Sequence, residues 1–219
     1  MSRGGCGPVR IVKPSYEILT PISEGGKAEL QFIERCGRTA YKSEDKITDG
    51  SAERFVASII KRGHESVLEH SMLTVKFICD RGVSHELVRH RLCSFTQESQ
   101  RYCNYSGDKF GNELTFIEPC FFEEDEHKKA CWWCDMRKVQ DTYLRLLEYY
   151  ASPEEARAVL PNSVKTEIVV TANYREWRNI FKLRCDKAAH PSMRELMIPL
   201  LKELQSKIPV IFDDIEVKE

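Results

Sequence analysis

Apolar residues at Leu30, Ile33 and Gly37, with Phe32 and Cys36 beside them, recur at helical spacing and predict a helix over about 26–38. A second helix is expected over about 51–62, opened near Asp49 and Ser51 and stopped by Gly63, with Phe55, Val56, Ile59 and Ile60 on one face. Met72 to Cys79 is rich in β-branched and aromatic residues and predicts a strand bounded by Asp80. Helical spacing resumes from Gly82 to Arg91, residues 93–112 form a polar loop, and Glu113 to Glu118 predicts a second strand stopped by Pro119. Residues 122–150 form one long helix, acidic at its start and basic later, as the helix dipole favours. Ser152 and Pro153 mark a short helix start, with serine as cap and proline in the first turn. Lys165 to Ala172 is a third strand, Tyr174 to Arg184 and Ser192 to Ser206 are helices, and a short extended piece follows Pro209. Residues 1–25 lack periodicity and read as an extended or loosely ordered lead-in. The pattern is α+β: a small central, mostly antiparallel sheet flanked by helices, with a long helix after the second strand and no alternating βαβ series.

At 219 residues the chain suits one domain, 1–219, with 1–15 its loosely ordered part. It carries 33 Lys plus Arg against 34 Asp plus Glu, a net charge of −1, which points away from a nucleic-acid coat or a membrane surface. The longest apolar runs, such as Ile168-Val169-Val170, are far too short to span a bilayer. The N-terminus lacks the apolar stretch of an export signal, so a cytoplasmic location is expected. Nine cysteines without regular spacing then read as reduced thiols, packing mostly as small hydrophobes.

With the global charge near zero, an anion site must come from a local cluster. Arg89, His90, Arg91 and Arg101 fall within 13 residues, where a helix enters a polar loop. Arginine presents a planar fork that matches phosphate or a carbonyl pair, and serine hydroxyls with loop N–H groups complete an anion nest. The bland alternative is a solvated basic helix end.

Arg89-His90-Arg91, seven residues, then Ser99, with Arg101 two positions on, resembles the signature of the flavin-dependent thymidylate synthases. The resemblance extends by order and spacing over roughly 15–210. Gly63-His64-Glu65-Ser66-Val67-Leu68-Glu69-His70 is similar to a family segment in which His64, Ser66 and Glu69 approach flavin or folate. A zinc HExxH motif needs histidines four apart on one helical face, whereas His64 and His70 are six apart, and no metal is expected. Ala156-Arg157-Ala158-Val159-Leu160-Pro161 resembles the segment whose arginine helps hold the nucleotide phosphate. In Asn173 to Arg184, residues Arg175, Asn179 and Leu183 share one helical face, while Trp177, Ile180 and Phe181 look like core.

The resemblance implies reductive methylation of dUMP to dTMP, with 5,10-methylenetetrahydrofolate as carbon donor and FAD reduced by NADPH. It implies dUMP contacts at Glu86, Arg89, Gln97, Glu98, Ser99, Gln100, Arg101, Arg157 and Arg184. FAD contacts are implied at Ser66, Glu69, Arg89, His90, Arg91, Gln97, Asn173, Arg175, Asn179, Leu183 and His190. Arg184, Ser99 and His64 are the catalytic candidates. A guanidinium aimed at the uracil carbonyls stabilises charge that develops when the C5–C6 bond reacts. Ser99 lacks an adjacent base in the sequence and is better placed as a positioning hydroxyl than as a nucleophile. Gln97 stands where many family members have Glu, and Glu86 where Gln is frequent. A homotetramer with shared active sites is also implied.

Cys131 and Cys134 form a single CxxC inside the long helix, which is weak as a redox or zinc motif. Arg184-Cys185-Asp186 resembles a stretch of the folate-only thymidylate synthases, but that enzyme's Pro-Cys-His nucleophile is absent. A nucleotide- or RNA-binding module using Tyr102 and Tyr105 is disfavoured by the near-zero charge and the lack of an interleaved aromatic stripe.

Overall fold

The computed structural model describes residues 9–107 and 111–217. Strands β1 (Arg10–Val12) and β5 (Thr115–Ile117) pair in parallel, Arg10 opposite Thr115. Strands β2 (Ser15–Ile18), β3 (Met72–Asp80), β6 (Lys165–Asn173) and β4 (Ser94–Gln97) form a four-stranded antiparallel sheet in the order β2-β3-β6-β4. β3 and β6 alternate cleanly: Leu73, Val75, Phe77 and Cys79, then Thr166, Ile168, Val170 and Ala172, are buried while their neighbours are half-buried. The α+β class expected from the sequence is what the chain adopts.

Each long strand ends on a side chain that starts a helix. Asp80 accepts from the Val83 N–H at 2.7 Å and opens α3 (Arg81–Leu87). Asn173 accepts from the Glu176 N–H at 2.8 Å and opens α6 (Tyr174–Arg184). Both satisfy a helix N–H that would otherwise lack a partner. The other principal helices are α1 (Lys27–Arg38), α2 (Ser51–Lys61), α4 (Glu126–Glu148), α5 (Pro153–Ala156), α7 (Pro191–Lys207) and α8 (Pro209–Phe212). α5 carries the expected serine cap as a full capping box between Ser152 and Glu155.

The chain divides into two compact units. The first takes the chain up to Ser15 with Phe77–Arg89 and Thr96–Ile168. Its core gathers Tyr105, Leu114, Phe116, Met136, Tyr143 and Val164, with Trp132 and Trp133 of the CxxC segment packed against it. Those tryptophans also donate to Ser163 Oγ and Glu118 Oε1 at 3.1 and 3.4 Å, whereas Cys131 and Cys134 are exposed thiols. The second unit takes Tyr16–Lys76, His90–Phe95 and the chain from Val169 on. Trp177 stacks on Phe181 with centroids 5.7 Å apart, and Phe212 meets Phe181 and Tyr174 edge-on.

The structure departs from the sequence expectation at five points. Part of the expected lead-in is ordered as β1 and β2, which gain their order from partner strands instead of local periodicity; residues 1–8, and with them Cys6, lie outside the described residues. The expected 93–112 loop contains β4, a half-exposed strand too polar to show as one. α3 stops at Leu87, short of Arg91, because the chain turns His90 inward to a buried partner on α6. After Pro209 the chain makes a helical turn that buries Ile211 and Phe212. The thiols also differ in part: Cys79 and Cys185 are buried, whereas most of the other described cysteines are only half-buried.

One buried cation fixes the second unit. Arg178, 1% exposed, forks onto Asp214 with Nη–O distances of 2.6 and 2.7 Å, and donates to Glu65 at 3.0 Å and to the Ile211 carbonyl. Two parallel charge-assisted bonds hold the guanidinium plane. Because of that fork the Asp214 carboxyl lies below its usual range. Substitution Arg178→Met is expected to cost about 3 kcal/mol or more of unfolding free energy in urea at fixed protein concentration, since it strands Glu65 and Asp214. A loss below about 1 kcal/mol would place Arg178 among ordinary surface ion pairs.

Candidate functional site

α6 supplies the densest polar arrangement of the second unit. Its N-terminal cap orients Glu176, which is buried and receives the side-chain amide of Asn179 at 3.4 Å. Glu176 Oε1 lies 3.3 Å from His90 Nδ1, and His90 Nε2 accepts from Arg184 Nε at 3.0 Å. The ring therefore carries its proton on Nδ1, donating to a carboxylate on one side and accepting from a guanidinium on the other. Burial, then the adjacent Arg184 charge, lowers the His90 pKa against the opposing pull of Glu176. A neutral imidazole thus holds a half-buried arginine in a set orientation.

Beside this relay lies a cavity of about 530 Å³ lined by Glu65, Glu69, Leu92, Asn173, Arg175, Glu176, Asn179 and Lys182. It gathers four expected flavin contacts: Glu69, Asn173, Arg175 and Asn179. Arg175 and Glu69 form an exposed ion pair at 2.5 Å. The remaining expected flavin positions in this unit are spread more widely. His64 and Ser66 are exposed on a separate cavity wall. Arg91 and Leu183 are exposed, and His190 is spent in part on capping α7, its Nδ1 accepting from the Ser192 N–H at 3.3 Å.

The first unit holds the other set. Arg89 is exposed just beyond α3, and Glu86 is half-buried on that helix. Gln97 turns inward and donates to Ser84 Oγ at 2.8 Å and Thr166 Oγ1 at 3.2 Å. Glu98 is also drawn inward, accepting from Tyr105 at 2.9 Å and Lys165 at 2.9 Å, while Lys165 reaches Glu167 at 2.7 Å. Ser99 Oγ accepts from the Arg101 N–H at 3.3 Å, and its carbonyl accepts from the N–H groups of Tyr102 and Cys103. Gln100 Nε2 is shut off from solvent and finds no acceptor among the described residues. Arg101 is exposed, donating to the Tyr102 hydroxyl at 2.9 Å with Glu154 3.6 Å away, and Arg157 is half-buried after α5.

Two residues escaped the sequence reading. Glu176 lies off the face that Arg175, Asn179 and Leu183 share and is given no role by periodicity; its only local signal is a carboxylate in the first turn of a helix rich in arginine. Lys165 neutralises Glu98 from a strand 67 residues away and has no local signal at all.

The family described as "Thymidylate synthase complementing protein" matches residues 26–210. Among curated proteins, the chain is 34% identical to a flavin-dependent thymidylate synthase of Corynebacterium aurimucosum, covering 90% of this chain and 84% of that one. It is 35% identical to the enzyme of that name from Geobacter sulfurreducens, over 78% of this chain and 72% of the other. It is 34% identical to that of Pyrococcus furiosus, over 80% and 72%. The match runs through the His90–Glu176–Arg184 relay, the cavity beside it and the Gln97-to-Arg101 turn alike, so the chain belongs to the flavin-dependent thymidylate synthase family.

Proposed function

We propose that the protein makes dTMP by reductive methylation of dUMP in de novo thymidylate synthesis, as a single functional domain spanning both units. The reaction converts dUMP, 5,10-methylenetetrahydrofolate, NADPH and a proton into dTMP, tetrahydrofolate and NADP⁺. Its methyl carbon comes from the folate, and the electrons come from the nicotinamide. Family membership carries this reading.

The residues of the 530 Å³ cavity fit a flavin by the chemistry of their donors. Arg175 and Lys182 suit phosphate oxygens, and the amides of Asn173 and Asn179 suit the polar edge of the ring, in a volume typical of cofactor clefts. Glu69, His90, Arg91, Leu183 and His190, with Ser66, complete the flavin set we assign, and Arg89 and Gln97 serve both ligands. Bound FAD supplies the hydride chemistry that no amino-acid side chain provides.

The chain's own work is orientation and charge. His90, kept neutral, accepts from Arg184 Nε and so fixes the guanidinium that we assign to the uracil ring. Negative charge growing on the uracil carbonyls is then stabilised without reorganisation of the arginine. Arg89, Arg101 and Arg157 are assigned to the nucleotide phosphate. Glu86, Gln97, Glu98 and Gln100 are assigned around the nucleotide, and the orphaned Gln100 amide supports a ligand acceptor there. Ser99 acts as a positioning hydroxyl, which suits an Oγ that accepts only a backbone N–H among the described hydrogen bonds. His64 is assigned to the folate side of the reaction. We further assign a cytoplasmic location and a homotetramer that shares its sites; no helix of the described residues is long and apolar enough to cross a membrane.

The purified protein is expected to show a flavin spectrum and to oxidise NADPH in the presence of dUMP and methylenetetrahydrofolate, releasing dTMP. A colourless protein that takes up no added FAD would overturn the reading. Arg184→Ala is expected to keep its flavin and lose roughly 100-fold or more in kcat, as removal of a charge-stabilising donor does; full turnover would remove Arg184 from the chemistry. The pH profile gives an independent check. Because the His90 pKa is lowered, the neutral ring is the dominant form at and above the ordinary imidazole value of about 6.5. Protonation on the acid side turns Nε2 from an acceptor into a donor facing Arg184, so kcat should hold near neutrality and fall only below that pH. His90→Gln, which can still accept and donate, should flatten this acid limb; an unchanged limb would assign it to another group.

A further inference from the structure

A second cavity of about 810 Å³ lies between the end of α1, the following loop, α2 and the turn at 63–67. Its lining includes Arg38, Lys46, Arg54, Arg62 and His64, and no Asp or Glu. The other three cavities described all contain carboxylates: Glu69 and Glu176 in one, Glu34 and Glu53 in another, Glu98 and Glu167 in the third. In a chain of net charge −1, an acid-free wall of four cations is a local feature that composition does not supply.

The four cations are not equivalent. Arg38 is neutralised from the protein side by buried Glu34, which accepts from its Nε and Nη2 at 3.1 and 2.7 Å and from Ser51 Oγ at 2.7 Å. That arrangement places Arg38 over the Phe55 ring at 4.7 Å and stiffens the cavity floor. Lys46, Arg54 and Arg62 have no carboxylate partner among the described residues, and Arg62 uses only Nε, on the Ser58 carbonyl at 3.1 Å. Tyr41, 84% exposed at the rim, adds an aromatic face, and Ser43, Ser58 and Ser66 add hydroxyls. A solvated helix face explains cations on α2; it does not explain their convergence on a concavity from which every carboxylate is missing.

We propose that this cavity binds the anionic portion of a co-substrate that combines clustered negative charge with a planar ring. Arg54, Arg62 and Lys46 take the anionic groups, and Tyr41 covers the ring or its linker. The inference rests on the function proposed above, under which two co-substrates carry that chemistry: the glutamate carboxylates of the folate and the phosphates of NADPH. His64 and Ser66 line the same cavity, so a ligand seated there reaches residues already assigned to the reaction.

The test is binding to the flavin-loaded protein by isothermal titration calorimetry. The probes are NADP⁺, 5-formyltetrahydrofolate and its triglutamate, applied to the native chain, Arg54→Ala/Arg62→Ala and Arg54→Lys/Arg62→Lys. Both arginines are exposed, and flavin content checks that each variant is intact. The alanine pair is expected to weaken one probe by roughly tenfold or more, with the lysine pair recovering part of it and added salt erasing the difference. Weakening confined to NADP⁺ identifies the phosphates; weakening that grows from the monoglutamate to the triglutamate identifies the carboxylate tail. Affinities within about twofold for every probe would overturn the inference. So would a loss of flavin in place of a loss of probe binding. A native protein that holds flavin and forms dTMP while the variants bind normally sinks this inference alone; a native protein that does neither sinks the function beneath it.

Discussion

A guanidinium with almost no contact with water has to be met on its polar edges, and Arg178 meets that demand at both terminal nitrogens, tying α6 to Glu65 in one segment and Asp214 in another, while its Nε finds no partner among the described residues. The consequence is rotational. Arg178 and Glu176 are two residues apart, roughly 200° around the helix, so fixing one toward Asp214 fixes the other toward His90. Trp177, Ile180 and Phe181 pack in the core between them. Hydrophobic packing alone tolerates small rotations of a helix, whereas a bidentate fork does not. Exchanging the whole Arg178–Glu65–Asp214 set for apolar side chains would cost little, but the set as built fixes the rotation of the helix that carries Arg184.

Most of this framework is legible in the sequence. The alternation in Met72 to Cys79 and Lys165 to Ala172 is that of strands with one buried face, and Asp80 and Asn173 stand where a strand must hand its backbone to a helix. α1, α2, α6 and α7 follow their apolar periodicity closely. What failed has a common cause. β1, β2 and β4 are short and exposed or half-buried on most positions, so their order comes from neighbouring strands distant in sequence. The helical end of α3 was overextended because nothing local says that His90 will be claimed by a carboxylate 86 residues on. α8 is equally non-local, since its apolar residues read as well for a strand as for the helical turn that buries Phe212.

The cations of the candidate site were legible locally, whereas the partners that hold its acids were not. The arginine cluster stands out through its match to the family signature, since on composition alone it reads equally as a solvated basic helix end. Glu98 was named through the resemblance but without its partner Lys165, and Glu176 looks like an ordinary surface residue until His90 is found against it. Gln97 shows the same effect from the neutral side. It donates to two hydroxyls of its own unit, a pairing that an amide makes without burying a charge, so Gln at a position where the resemblance leads one to expect Glu is accommodated by the protein itself.

The Arg89-His90-Arg91 triplet is divided by the two units. Arg89 belongs with Ser99, Arg101 and Arg157, whereas His90 and Arg91 belong with Asn173, Arg175, Asn179 and Arg184. The division by unit follows in part the division by ligand that the resemblance implies: Arg89 and Gln97 of the first unit are implied for both ligands, and Arg184, implied for the nucleotide, lies with the flavin set. Arg184 is instructive, because its Nε donates to His90. Under the proposed assignment, a residue of the nucleotide set is oriented through a histidine of the flavin set. The motif's middle residue hydrogen-bonds inside its own unit, to Glu176 on one side and Arg184 on the other.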